Sequence, residues 1–214
     1  MYRPFAALAV SLSFVAGSQA DLVNPLVPEW RGDAGTSYYQ WDSFTQAFGA
    51  PNFPDNPGPP GAGLYNFQSG AVIADSGNMY GANGLNIHIY PMSEDAAPAP
   101  VSAVLNISTI GTTLSLDTVQ GYLGPPMAGG QYFDYSSSEV RYSEAMGPMG
   151  VMQTVSFTFD FSSWSGGDTT FGFFFKGEMD HISLDAVSLD INYVPAPGAL
   201  ALIGLAGLGS RRRR

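Results

Sequence analysis

The chain has no cysteine among its 214 residues. Disulfides therefore contribute nothing to its stability, and thiolate metal sites are excluded. Histidine occurs only at His88 and His181, and two isolated histidines without cysteine do not make a zinc site. Basic residues are scarce, with eight Lys and Arg against 18 Asp and Glu. No Gly-x-Ser-x-Gly elbow, Gly-x-x-x-x-Gly-Lys phosphate loop or dinucleotide fingerprint in a strand-turn-helix setting occurs. No apolar run reaches the roughly 20 residues of a full transmembrane helix. No internal repeat is present. Thr112-Thr113 and Thr169-Thr170 are scattered, unlike the ordered Thr-x-Thr arrays of ice-binding surfaces.

What is present is most distinctive at the two ends. Arg3 forms a charged start, residues 5–16 are apolar, and Ser18-Gln19-Ala20 offers small residues where a signal peptidase needs them. Residues 1–20 read as a secretory signal cut between Ala20 and Asp21. The far end runs Val194-Pro195-Ala196-Pro197-Gly198, then an uncharged stretch to residue 209, then Arg211, Arg212, Arg213 and Arg214. The prolines hold any helix back until Gly198. The apolar stretch is a short membrane helix whose reach the arginines extend by snorkelling, and clustered arginines stay cytoplasmic. The body then lies outside, on an extended, accessible junction.

The order Pro-x-Pro, short apolar span and arginine cluster over residues 194–214 resembles the PEP-CTERM sorting signal of Gram-negative bacteria. That resemblance implies recognition and removal of the tail by an exosortase, a transient stay in the inner membrane, and a final place at the cell surface or in the extracellular matrix. The family's middle residue is Glu, and Ala196 stands here instead. The tail speaks to sorting and not to activity.

Residues 21–193 are long enough for one domain with its own core. All 18 acids fall in this body, against Arg31, Arg141 and Lys176. So acidic a surface repels nucleic acid and anionic membranes and favours cations and neutral ligands. Its Gly, Pro, Ser and Thr suit an all-β protein with many turns.

Residues 21–35 read as an irregular lead-in anchored by Trp30, and residues 36–47 as a first strand. Residues 49–63, rich in Pro and Gly, exclude helix and central strand and form a surface loop. Residues 71–74 and 139–144 are brief strands. In residues 85–90, Leu85, Ile87 and Ile89 face one way and Asn86, His88 and Tyr90 the other. Residues 101–110 and 113–120 read as a pair around Gly111. The clearest alternation places Val155, Phe157, Phe159 and Phe161 on one face, and Phe171, Phe173 and Phe175 repeat it after a Gly-Gly turn. In the last strand Ile182 and Leu184 share one parity while Val187, Leu189, Ile191 and Tyr193 share the other. Such a slip flips every later side chain, and a β-bulge near Asp185-Ala186 repairs it. The tail would then hang from a final edge strand.

Short strands without helical period predict an all-β, antiparallel two-sheet sandwich, preferably a jelly roll, flanked by a signal helix and a short C-terminal helix. Residues 182–189 resemble the last strand of jelly-roll carbohydrate-binding modules. That resemblance implies a structural calcium between early and late strands. Asp42 and Asp185 are the candidate ligands, with Asp190 behind them.

Two function classes stay open. Tyr132, Phe133 and Tyr135, with Arg141 nearby, would make a sugar-stacking platform, and Trp164 is a second aromatic candidate. An aromatic strip without paired acids favours a non-catalytic surface protein that grips exopolysaccharide, or a purely structural matrix protein. A jelly-roll glycan hydrolase or lyase is the alternative. Its best candidate is Glu178-Met179-Asp180, whose carboxylates share one strand face about 7 Å apart, against the roughly 5–5.5 Å of retaining glycosidases. Laminarinase-like enzymes carry a third acid soon after, where Ile182 and Ser183 stand here. No catalytic residue is therefore assigned.

Overall fold

The computed structural model describes residues 22–56, 61–91, 98–124, 130–167, 169–177 and 179–193. The signal segment with Ala20 and Asp21, the tail 194–214 with its sorting motif and arginines, and Glu178 of the acidic pair lie outside the described residues. Among the described residues there is no α-helix, and no helix is long and apolar enough to cross a membrane.

The described residues form twelve strands in two antiparallel sheets. The seven-stranded sheet contains β1 (Thr36–Trp41), β3 (Ala71–Ile73), β4 (Met79–Gly81), β6 (Pro100–Gly111), β9 (Ser137–Ala145), β10 (Val151–Asp160) and β12 (Ile182–Tyr193). Its order is β3-β4-β12-β6-β10-β9, and β1 also pairs with β12. The five-stranded sheet runs β2 (Ala62–Asn66), β5 (Leu85–Pro91), β11 (Phe171–Gly177), β7 (Ser115–Leu123), β8 (Gln131–Asp134).

The sheets face each other across one apolar core. Phe157, Phe159 and Phe161 from one side are fully buried, as are Phe173 and Phe175 from the other. Phe159 and Phe173 meet edge to face at 5.3 Å, an arrangement that the ring quadrupoles favour. Trp41 is fully buried, and its indole N–H donates to the Asn52 carbonyl at 3.0 Å. Asn52 also organises the Pro/Gly loop: its side-chain oxygen accepts from the amides of Thr45 and Gln46, both at 2.8 Å.

The bulge expected in the last strand is present. Against β6, Leu184 partners Thr109 and Ala186 partners Ser108, so Asp185 is the extra residue. On the other side of β12 the partner changes here: pairing with β4 reaches Leu184, and pairing with β1 begins at Val187. The slip keeps Ile182, Leu184, Val187, Leu189 and Ile191 all in the core.

Two local expectations need correction. Residues 101–110 and 113–120 are not a hairpin, because β6 and β7 belong to different sheets. Gly111, at φ 105°, takes the chain from one sheet to the other against the His181 backbone. The last strand is not at an edge either: β12 lies between β6 and the pair β4/β1. Its unbroken apolar side and small outward residues let it be enclosed on both faces.

The outer face of the seven-stranded sheet is polar yet buried. Asn106, Ser108, Ser156, Ser188 and Asp190 are each at most 2 % exposed. The lead-in, residues 22–35, crosses part of this face. The Leu26 amide donates to Asn106 Oδ1 at 2.9 Å, and Asn106 Nδ2 returns a bond to the Leu26 carbonyl. Arg31 places Nε at 2.5 Å and one terminal nitrogen at 2.7 Å from the two Asp190 oxygens, and its guanidinium lies 3.9 Å over the Tyr38 ring. The lead-in is thus held by Arg31 and by the Leu26 backbone, while Trp30 is only partly buried.

Candidate functional site

The opposite outer face, on the five-stranded sheet, is built differently. Strand alternation sends Leu85, Ile87 and Ile89 inward and leaves Asn86, His88 and Tyr90 outward on β5. On β11 the inward set is Phe171, Phe173 and Phe175, so Phe174 and Lys176 point out. Register then brings aromatics together across the sheet. His88 is opposite Tyr65 on β2 and Phe174 on β11, Tyr122 on β7 is opposite Tyr132 on β8, and Phe174 is opposite Gln120.

The result is a continuous aromatic band over all five strands. Phe67 stacks on Tyr65 at 5.8 Å and meets His88 at 4.9 Å. His88 meets Phe174 edge-on at 4.7 Å, Tyr90 meets Phe174 at 5.6 Å, and Tyr132 lies 6.0 Å from Phe174 and 5.0 Å from Tyr122. Gly172 makes this packing possible, since a Cβ there would press on the Tyr90 and Phe174 rings at 3.1 Å. Phe67 and Tyr132, at 44 % and 60 % exposure, stand at the two ends of the band. A contiguous aromatic band with exposed ends is the kind of surface that interaction sites present.

Polar groups interleave with the rings. A hollow of about 290 Å³ is lined by Asn86, His88, Tyr90, Thr118, Gln120, Tyr132, Phe174 and Lys176. A second hollow of similar size adjoins it, lined by Gln68, Asn83, Asn86, Lys176 and their neighbours. Among the described residues, no carboxylate lines either hollow. Across the register Asp134 accepts from the Gln120 amide at 3.0 Å. His88 is fixed at both nitrogens, with Nδ1 2.9 Å from the Tyr90 hydroxyl and Nε2 3.0 Å from Asn86 Oδ1. Asn86 Oδ1 can only accept, so Nε2 carries the proton of the neutral ring and Nδ1 accepts from Tyr90. Burial pushes the His88 pKa down, and the Lys176 charge adds to the effect. Burial likewise raises the Tyr90 hydroxyl, with the neighbouring tyrosines reinforcing it.

The sequence candidates distribute themselves over several places. Tyr132 is part of the band. Phe133 points the other way and is buried in the core against Phe161. Tyr135 packs on Phe157 at 5.2 Å. Arg141 lies on the seven-stranded sheet, where Nε donates to the Asn24 carbonyl at 3.2 Å and one terminal nitrogen pairs with Glu139 at 2.8 Å. Trp164 packs against the core margin and donates to the Gly167 carbonyl at 3.2 Å. The four candidates Tyr132, Tyr135, Arg141 and Trp164 thus do not share one surface. The band residues Tyr65, Phe67, Tyr90, Tyr122, Phe174 and Lys176 were not singled out as a site from the sequence.

Of the cation candidates, Asp185 is 4 % exposed and accepts from Asn78 Nδ2 at 2.7 Å and Ser108 Oγ at 3.2 Å. Asp42 follows the last residue of β1 and accepts from the Gln40 amide. The next turn of chain, Ser43 and Phe44, packs on Gly77, beside Asn78. Asn78 Oδ1 is buried and makes no hydrogen bond among the described residues. Asp190 is committed to Arg31, where burial pushes its carboxyl up and the guanidinium offsets part of the rise. No group of three or more His, Asp or Glu able to share a metal occurs among the described residues. His181, in the left-handed region at φ 64°, lies with Nδ1 2.5 Å from the Tyr80 hydroxyl. Asp180 is exposed in the turn before β12.

Compared with protein-family models, curated proteins and solved structures, the chain finds no match.

Proposed function

We propose that this is an exported bacterial surface or matrix protein whose five-stranded sheet binds polysaccharide without catalysis. The single observation that carries the reading is the aromatic band from Phe67 to Tyr132, interleaved with Asn86, His88, Thr118 and Gln120. Sugar rings present flat apolar faces edged by hydroxyls, and a band of rings with amide and hydroxyl neighbours matches both features. Among the described residues no carboxylate pair lines its two hollows, which favours binding over glycoside hydrolysis. The arrangement of the sandwich is read as a jelly roll, supported by the repeated passage of the chain between sheets at β6 to β7 and β10 to β11.

Titration of the protein with a panel of soluble glucans, galactans and uronans tests the reading. Tyr132→Ala is expected to weaken binding at least tenfold with an unchanged melting temperature, because the side chain is largely exposed. Wild-type affinity in both Tyr132→Ala and Phe174→Ala would remove the band from the account.

Export and sorting rest on residues 1–20 and 194–214. In an exosortase-bearing Gram-negative-type host, the surface form is expected to start at Asp21 and to have lost its arginine cluster. Mass spectrometry of that form reads both ends. Ala196→Glu should leave processing intact or hasten it, and a full-length tail at the surface would contradict the sorting proposal.

Calcium at Asp42 and Asp185 is the proposed cofactor. It is supported by the all-oxygen character of the locality and by the unsatisfied Asn78 Oδ1 next to Asp185. A saturable rise in melting temperature with calcium, lost in Asp185→Asn, is the expected result. No shift would remove the metal.

A further inference from the structure

We infer that the glycan taken by the aromatic band carries an anionic group, a uronate carboxylate or a sulfate ester, and that Lys176 receives it. This rests on the reading of the band as a sugar platform and specifies which sugars it selects.

The inference starts from where the body's cations are. Between residues 21 and 193 there are three, and each has a different fate. Arg31 is consumed by Asp190 under the lead-in. Arg141 is consumed by Glu139. Lys176 is the chain's only lysine, it is exposed, and among the described residues it makes no ion pair. In a body with 18 acids, an ammonium group without a carboxylate partner is the exception. It stands on the outward side of β11, two residues from Phe174, in the wall shared by both hollows.

Its surroundings suit a ligand charge. Lys176 is opposite Asn86 on β5 and Ser115 on β7. Its backbone is pinned by Thr118, whose hydroxyl accepts from the Lys176 amide at 2.9 Å. The stem is therefore rooted in the centre of the sheet, while the ammonium, with no ion pair among the described residues, can turn its three donors. A sugar ring over Phe174 and Tyr132 would present a substituent to Lys176, with the amides of Asn86 and Gln120 at its edge beside the hydroxyls.

The acidity of the whole body does not oppose this. At physiological salt the Debye length is about 8 Å, so acids elsewhere on the surface are largely screened and the ligand responds to local charge. Among the described residues, Lys176 is the one charged side chain lining the hollows: His88 sits between Tyr90 and Asn86 as the neutral ring, and Asp134 stands behind Gln120 and is engaged by its amide.

The test is calorimetric titration of the full chain with tetragalacturonate and tetramannuronate, a carrageenan tetrasaccharide for sulfate, and galactotetraose and laminaritetraose as neutral probes. The inference predicts at least tenfold tighter binding of an anionic probe than of its neutral counterpart. Lys176→Gln should reduce the anionic probe to the neutral level with an unchanged melting temperature, and raised salt should do the same. Comparison of the uronate and carrageenan arms distinguishes carboxylate from sulfate. If neutral and anionic probes bind alike, or Lys176→Gln leaves anionic binding unchanged while Tyr132→Ala removes it, the role of Lys176 is overturned and the platform stands. If no probe binds, both the platform and the role of Lys176 fall.

Discussion

At the scale of single residues, one ion pair and one histidine carry the sharpest consequences. Asp190 is fully buried, and only Arg31 offsets its charge. Removing one partner of a buried pair leaves the other uncompensated, which costs about 3–5 kcal/mol. Arg31 is partly exposed, so the lower end applies. Arg31→Ala is expected to cost about 3 kcal/mol, a fall in melting temperature of roughly 6–12 °C for a domain of this size. Urea unfolding reads it directly, and a loss under about 1 kcal/mol would mean that water replaces the guanidinium. His88 gives a pH dependence. Its folded pKa lies below the ordinary 6.5, so the unfolded chain takes up the proton first. The stability contributed by the neutral ring is present above pH 6.5 and is lost as pH falls through the folded value. Tyr65, Tyr90, Phe174 and Lys176 face the ring, and none supplies a negative charge to reverse the sign. Thermal melts of His88→Gln should therefore fall less steeply below pH 6.5 than those of the wild type.

At the scale of elements, the lead-in and the crossing turns decide the outcome. Small polar side chains on the outer side of β6, β10 and β12 are enclosed because residues 22–35 supply backbone partners for them. Deleting residues 22–34 is expected to destabilise the fold more than Arg31→Ala does, with hydrogen exchange quickening first in β6 and β10. Quickening confined to β2 and β8 would contradict the bracing role. Gly111 is the second device. A Cβ there would approach the His181 carbonyl oxygen to 2.2 Å, at a φ that L side chains rarely adopt. Gly111→Ala is expected to cost about 3 kcal/mol or more by chemical denaturation, since both strain and backbone displacement are imposed. These elements also show what sequence pattern can reach. Period-two alternation identified β5, β10, β11 and β12, including the bulge at Asp185, because one face of each had to be apolar. It did not identify β2, β4 and β8, which are three to five residues long and too short to display a period. Nor did it separate hairpins from crossings, because Gly111 serves either one.

At the scale of the whole molecule, the two outer faces divide the labour. One is polar, closed and braced by the lead-in. The other is aromatic, open and carries Lys176, the one cation that makes no ion pair among the described residues. Fold class was legible because core alternation is a local property of each strand. The site was not, because it is assembled across register: Tyr65, His88, Phe174, Tyr122 and Tyr132 come from five strands. The available signal was modest but present in Phe174, an aromatic at an outward position between core phenylalanines, and in Tyr90 beyond His88. Grouping Tyr132 with Tyr135 and Arg141 followed nearness in sequence, whereas β8 and β9 belong to different sheets.

The central claim, that the five-stranded sheet is the ligand face, is tested most directly by hydrogen exchange of the full chain with and without a bound oligosaccharide. The account predicts slowed exchange confined to peptides of β5, β7, β8 and β11. Protection confined to the lead-in, β9 or the Trp164 turn, with β5 and β11 unchanged under saturating ligand, would contradict it.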